Sequence, residues 1–282
     1  MSYLYLTPKL HFGSDLPIQS SPMKLLDLFC GAGGSTVGYS HHFDVTGLDH
    51  RYQLRFPFPN SFILCDALEF LQNNDVSKYD VIAASPPCQA YSSATNHAGW
   101  PDLIPDLRRA LIATGKPYII ENVVGAPLIK KQTVLLCGSM FGLPLHRHRL
   151  FESNIPLHTT FCIHEWQKPI YTKHNNKPTS VMHVYGAGGG KGAEDWNKAM
   201  EIDWMLKTEL VNAVPPAYTK FLGAQLYSYL KHQELLSGNQ SDQPLECGAV
   251  GGAKVTRAST LEGISVPAAP LPIRKSPWLR SF

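Results

Sequence analysis

An α/β fold, with a mostly parallel sheet covered by helices on both faces, is predicted by three observations. Short apolar runs alternate with stretches of helical spacing through the middle of the chain. The first apolar run empties into a glycine-rich turn, and later runs end in polar or reactive residues, as expected where a parallel sheet presents its carboxyl ends to a ligand. The chain, 282 residues and 44% hydrophobic, is also long enough to bury one sizeable core with a small lobe appended.

Taken in order, residues 1–22 mix Pro, Ser and Gln with no period of 2 or 3.6, which predicts a disordered or non-core segment. Met23 opens the first apolar run. Residues 24–29, 45–49, 62–65, 79–84, 118–121 and 134–137 read as buried strands, and 35–41, 67–73 and 103–114 as the helices between them. A catalytic core over 23–153, a small lobe over 154–203 and a return to the core over 204–232 follow from this pattern and from the motifs below. Residues 233–282, rich in Gly, Ser, Pro and Ala, read as a disordered tail.

Composition sets limits on function. With 17% charged residues and a formal net charge of +3, the total charge gives no electrostatic case for a polyanionic partner, so a nucleic-acid reading must rest on local residues. The six cysteines contain no CxxC pair, which favours reduced thiols over a disulfide framework. No run of about 18 apolar residues and no basic-then-apolar start is present, so the expectation is a soluble, cytoplasmic protein without membrane contact.

The chemistry sits at the strand ends. Asp27-Leu28-Phe29-Cys30-Gly31-Ala32-Gly33-Gly34 closes the first strand, and its glycines let backbone approach a ligand; a purely structural turn would use the same residues. It lacks the GK[ST] ending of a phosphate-cradling loop. Asp49 ends the second strand, where an acid would hold ribose hydroxyls, and Asp66 follows the third, where it would serve equally as a helix cap. The fourth strand runs into Ser85-Pro86-Pro87-Cys88-Gln89, where two prolines fix the backbone just before a thiol. That makes Cys88 a candidate nucleophile, whereas Cys65 and Cys137 read as small buried hydrophobes. Glu121-Asn122-Val123 brings a carboxylate to the same edge one strand later. In His146-Arg147-His148-Arg149-Leu150-Phe151, strand alternation would put Arg147 and Arg149 on one face, as an anion and base clamp or a solvated edge.

In this order the motifs resemble the cytosine carbon-5 DNA methyltransferase family, and Asn212-Ala213-Val214-Pro215-Pro216 is similar to its final motif. The resemblance spans most of 23–230. It implies a Rossmann-like S-adenosylmethionine-dependent methyltransferase fold with a small target-recognition lobe, and double-stranded DNA as partner. Cys88 would attack carbon 6 of a flipped-out cytosine, Glu121 would hold nitrogen 3 and the amine, and Arg149 with Arg147 would orient the base. Phe29, Gly31, Gly33, Asp49, Asp66, Pro87, Asn212 and Ala213 would surround S-adenosyl-L-methionine, with no metal. Val211 stands where the family usually has glycine, and 154–203 is short for a recognition region, a compact form that resembles phage-type members. The expected unit is a monomer that needs no cognate restriction endonuclease for activity.

In the lobe, Lys168, Lys173, His174, Lys177 and His183 interleave with Trp166, Tyr171 and Tyr185 ahead of a glycine-rich run, which suits phosphate contact or a solvated loop. His158, Cys162 and His164 lack a fourth ligand and regular spacing, and read as structural. Three other functions compete with this reading. An RNA methyltransferase would share every catalytic motif. A binding module without catalysis conflicts with the presence of Cys88, Glu121 and the arginines. A nicotinamide dehydrogenase would leave the Pro-Pro-Cys-Gln element unexplained and would need a strict GxGxxG.

Overall fold

The computed structural model describes residues 21–92, 99–162, 182, 184 and 193–238. Seven strands, β1 (Lys24–Leu28), β2 (Asp44–Asp49), β3 (Phe62–Leu64), β4 (Val81–Ala84), β5 (Tyr118–Asn122), β6 (Thr133–Leu136) and β7 (Arg149–Ser153), form one sheet in the order β3-β2-β1-β4-β5-β7-β6. The pairs from β3 to β5 are parallel, and β7 runs antiparallel to both β5 and β6. Six α-helices accompany them among the described residues: α1 (Gly34–Tyr39), α2 (Ala67–Asn73), α3 (Ile104–Ala113), α4 (Ala193–Met200), α5 (Lys207–Leu210) and α6 (Pro216–Gly238).

Strand periodicity sorts the apolar residues onto two faces. Leu25, Val81, Ala83 and Ile119 face a cluster built with Tyr39 of α1, Trp196 of α4, and Tyr218, Leu222 and Leu226 of α6. Leu26, Leu28, Ile82, Ala84 and Ile120 face the other cluster, completed by Phe70 of α2 and by Ile104, Leu107 and Leu111 of α3. Both faces are therefore covered, as parallel strands without alternation of polar residues require. Each fully buried leucine such as Leu107 or Leu111 is worth about 1.5–3 kcal/mol over its exposed form.

Three expectations are corrected. Residues 146–148 are not strand: β7 starts only at Arg149, so Arg147 and Arg149 do not share a strand face. The tail does not start at 233, because α6 continues to Gly238. The segment 193–200 is not part of a separate lobe, since Trp196, Ala199 and Met200 are buried in the core cluster of β1 and α6. The expected cationic and aromatic cluster from Trp166 to Tyr185 and the glycine-rich run after it lie outside the described residues. No described helix is long and apolar enough to cross a membrane.

Candidate active site

Strand register decides which residues meet. Leu28 is level with Leu48 and Ala84, and Ala84 with Ile120, so Phe29, Asp49, Ser85 and Glu121 come out at one edge of the sheet. Being antiparallel, β7 offers its beginning to that edge: Leu150 pairs Asn122, and Arg149 precedes it. A cleft of about 280 Å³ lies there, close to the lower bound of small-molecule sites. It is lined by residues from every one of these strand ends and from the 205–214 segment.

On one side lies the turn after β1. Phe29 and Gly31 both have positive φ, 59° and 51°, a backbone conformation that favours glycine at position 31. Gly33, at φ 86°, does not line the cleft; its missing Cβ is what lets Pro57 and Phe56 pack against it. Asp49 lines the cleft and is already held, its Oδ2 accepting from Gly31 N and its Oδ1 from Arg51 N, each at 3.0 Å. Oδ1 also faces His50 Nδ1 at 3.2 Å, so Oδ2, with two lone pairs, is the oxygen placed to accept one bond more. Asp66 stays outside the cleft: its Oδ1 accepts from Leu68 N and Glu69 N and caps α2. Beneath the turn, Asp27 is fully buried, with Oδ2 accepting from Ser35 Oγ and Thr36 Oγ1 at 2.7 and 2.6 Å. Burial pushes its carboxyl up to about 6 against those two bonds.

Opposite stands the thiol. Ser85 N still bonds Leu28 O, Pro86 and Pro87 carry the chain out of the sheet, and Tyr91 N and Ser92 N both donate to Cys88 O, so Cys88 opens a tight turn at the cleft wall. Asn122, which is 1% exposed, donates from Nδ2 to Pro86 O at 3.0 Å and locks this loop to the end of β5. Glu121 projects into the cleft and its Oε1 lies 3.0 Å from Arg149 Nε. Burial raises the Glu121 carboxyl above the usual range, opposed by Arg149, Arg147 and a bond from the Ser85 side chain. Burial also raises the Cys88 thiol; Arg149 pulls it down and Glu121 pushes it further up.

The two arginines part company. Arg149 lines the cleft, whereas Arg147, 4% exposed, donates to Val184 O at 2.7 Å and Val211 O at 2.8 Å. Its own carbonyl accepts from Tyr218 Oη of α6 at 2.6 Å. Burial and then the charge of Arg149 bring its pKa down to about 9, so it stays cationic at neutral pH. Arg147 thus ties the approach to β7 to the 211 segment and touches the cleft only through its field.

The 204–214 segment closes the cleft. Trp204 Nε1 donates to Ala32 O at 2.8 Å, and a Cβ on Gly34 would fall 2.6 Å from Val214 O. Asn212 and Ala213 line the cleft as expected, and Val211 takes φ −61° and ψ −28°, which any residue adopts, so glycine is not required there. Sequence reasoning did not single out Ser85, Asn122, Trp204 or Glu209. Asn122 and Ser85 lie inside the Glu121-Asn122-Val123 and Ser85-to-Gln89 motifs, but Glu209, which lines the cleft and pairs with Arg55 at 3.4 Å, carries no local signal.

Residues 23–133 match the family described as C-5 cytosine-specific DNA methylase. A curated relative, the type II methyltransferase M.NlaX of Neisseria lactamica, is 27% identical over 159 residues, 45% of this chain and 50% of the relative. The chain therefore spans about half the length of the curated relative it matches. Among solved structures, the Entamoeba histolytica methyltransferase EhMeth is 16% identical with a TM-score of 0.51, covering 74% of this chain and 99% of that one, a likeness of fold. Spodoptera frugiperda DNMT2, 15% identical with a TM-score of 0.47, covers 73% and 99%.

Proposed function

With residues 23–133 assigned to the C-5 cytosine-specific DNA methylase family, we propose that the chain methylates carbon 5 of cytosine in double-stranded DNA through a covalent adduct of Cys88. The observation that carries this reading is the convergence of Cys88, Glu121 and Arg149 in one cleft with the glycine turn, Asp49 and Asn212.

The cleft suits S-adenosyl-L-methionine by its chemistry. Asp49, Glu121 and Glu209 bring carboxylates to hydroxyl and cationic groups, and Phe29, Pro87 and Ala213 supply apolar wall. Gly33 and Asp66 act behind that wall, on packing and on the cap of α2. When bound, this cofactor supplies the electrophilic methyl that carbon 5 takes.

Carbon 5 of cytosine is a weak nucleophile, and Cys88 changes that by adding to carbon 6. The thiol must lose its proton first, and Arg149, followed by Arg147, favours the thiolate against burial. Glu121, kept protonated to higher pH than an ordinary carboxyl, gives its proton to nitrogen 3 as the adduct forms, so no net charge builds on the ring. Arg149 holds Glu121 and the base in register. After transfer a base removes the carbon 5 proton, the carbon 6–sulfur bond breaks with its electron pair returning to Cys88, and nitrogen 3 returns its proton to Glu121. A stacked cytosine cannot reach Cys88, so the base is flipped out at a cost of a few kcal/mol. The enzyme acts as a cytoplasmic monomer and requires no restriction endonuclease.

Bisulfite sequencing of DNA from cells expressing the chain, beside a Cys88→Ala control, tests this. Methylated cytosine in one short sequence context, absent from the control, is expected. Unmethylated DNA from a folded protein that binds S-adenosylmethionine would overturn it and point to RNA.

A further inference from the structure

Outside the cleft, three ligating side chains distant in sequence converge. The antiparallel register pairs Leu136 of β6 with Arg149 of β7, so one step beyond the ladder Cys137 comes level with His148. The chain leaving β7 then doubles back. His158 N donates to Gln225 Oε1 of α6 at 2.7 Å, and Thr159 Oγ1 donates to Leu135 O of β6 at 3.0 Å. These two anchors deliver Cys162 to the same spot.

We propose that Cys137, His148 and Cys162 bind a thiophilic divalent cation of the zinc class. One ligating atom of each, both Sγ atoms and a His148 ring nitrogen, lies within 4.8 Å of the other two, and His148 Nε2 is 3.4 Å from Cys162 Sγ. A tetrahedral zinc ion, with bonds of about 2.3 Å to sulfur and 2.0–2.1 Å to nitrogen, separates its ligands by roughly 3.5–3.8 Å. The three atoms therefore need to shift by little more than an ångström at most to close on one ion. Two thiolates and an imidazole select zinc over magnesium or calcium, which take oxygen. Ser139 Oγ, 3.5 Å from Cys162 Sγ, is placed to donate to the thiolate once formed. Cys137 is fully buried while His148 and Cys162 are half-buried, so the ion enters from the Cys162 side and water completes its coordination.

Binding transfers both thiol protons to solvent and forms two metal–sulfur bonds and one metal–nitrogen bond. Without metal, the Cys137 thiol makes only a weak bond of 3.9 Å to Leu145 O. The consequence is mechanical. His148 lies between Arg147 and Arg149, so the ion would fix the approach to β7 and the point where the chain departs toward residues 163–192. This site is independent of the proposed methyl transfer, and it shares only Cys162 with the His158, Cys162 and His164 group that the sequence reads as structural; His158 is exposed and held through its backbone.

The test is cobalt titration of the full chain after treatment with a chelator under reducing conditions, read by absorption, together with the zinc content of the untreated protein. About one cation per chain is expected, with the visible bands of a tetrahedral site and thiolate-to-cobalt charge transfer. Cys162→Ser and His148→Ala should each weaken binding at least about tenfold, Ser139→Ala less, and Cys65→Ser not at all. Cys162→Ser is the deciding variant because its side chain is only half-buried, and circular dichroism verifies its fold. Absence of cobalt bands in the unsubstituted protein, bands that persist in both ligand variants, or a Cys137–Cys162 disulfide in protein kept under reducing conditions would overturn the proposal.

Discussion

The loops after β4 and β5 and the approach to β7 bring side chains to the same cleft by opposite means. After β4, position is set locally: Pro86 and Pro87 leave the backbone few alternatives, and one bond, Asn122 Nδ2 to Pro86 O, fixes the loop to its neighbour. Before β7, two arginines two residues apart have different fates. Arg149 meets Glu121 in the cleft, while Arg147 serves carbonyls at 184 and 211, contributed by distant parts of the chain. Residue type is thus a good guide to role where the backbone is stiff, and a poor one where partners come from far away.

Five substitutions break or sharpen that contrast. The largest effect is expected at Cys88→Ala, which should reduce methyl transfer to background while S-adenosylmethionine affinity by calorimetry stays within a few-fold; lost cofactor binding would make Cys88 a structural residue. Next, Glu121→Gln keeps the shape but cannot deliver a proton, and methyl transfer should fall by about 10²–10⁴ in single-turnover assays.

The arginines should separate by readout. Arg147→Met leaves one buried and one part-buried carbonyl without their donor and should lower stability by about 2–4 kcal/mol in urea unfolding. Arg149→Lys should keep stability within about 1 kcal/mol yet depress methyl transfer, because a lysine cannot reproduce the guanidinium geometry at Glu121. Equal stability losses in the two variants would erase the distinction between them.

The smallest effect concerns Asp27, whose carboxyl is raised from 3.8 to about 6 in the fold. A raised acid means that the folded state binds more protons than the unfolded chain, so its contribution to stability is greatest below pH 4 and declines as pH rises to about 6. Urea midpoints measured from pH 4 to 7 should show this decline, at most about 3 kcal/mol, and Asp27→Asn should flatten it.

Much of the parallel half was legible because its signals are local. Buried strands read as apolar runs, α2 matched its spacing over Ala67–Asn73, and the glycine turn and the proline-framed cysteine announced themselves within a few residues. Boundaries moved by one or two residues, as at β1, where Phe29 turns to positive φ and ends the strand. Asp66 was ambiguous in sequence between ligand and cap, and its Oδ1 does cap α2 through two bonds.

By itself, then, the sequence determined the alternating α/β pattern, the order of the parallel strand ends, and the identity of Cys88, Glu121, Asp49 and Asn212 as residues of one cleft. The pattern and the strand ends follow from backbone preferences and periodicity, which act over a few residues, and the grouping of these residues, Asn212 above all, from the family resemblance of their motifs. Tertiary structure alone decided that β7 runs antiparallel and so presents Arg149 to the cleft. It also withdrew Arg147 and Gly33 behind the cleft wall, added Glu209 to its lining, and gathered Cys137, His148 and Cys162. Those outcomes depend on register, on packing and on polar contacts between segments as far apart as 71 residues for Tyr218 and Arg147 and 154 for Arg55 and Glu209, which no local pattern encodes.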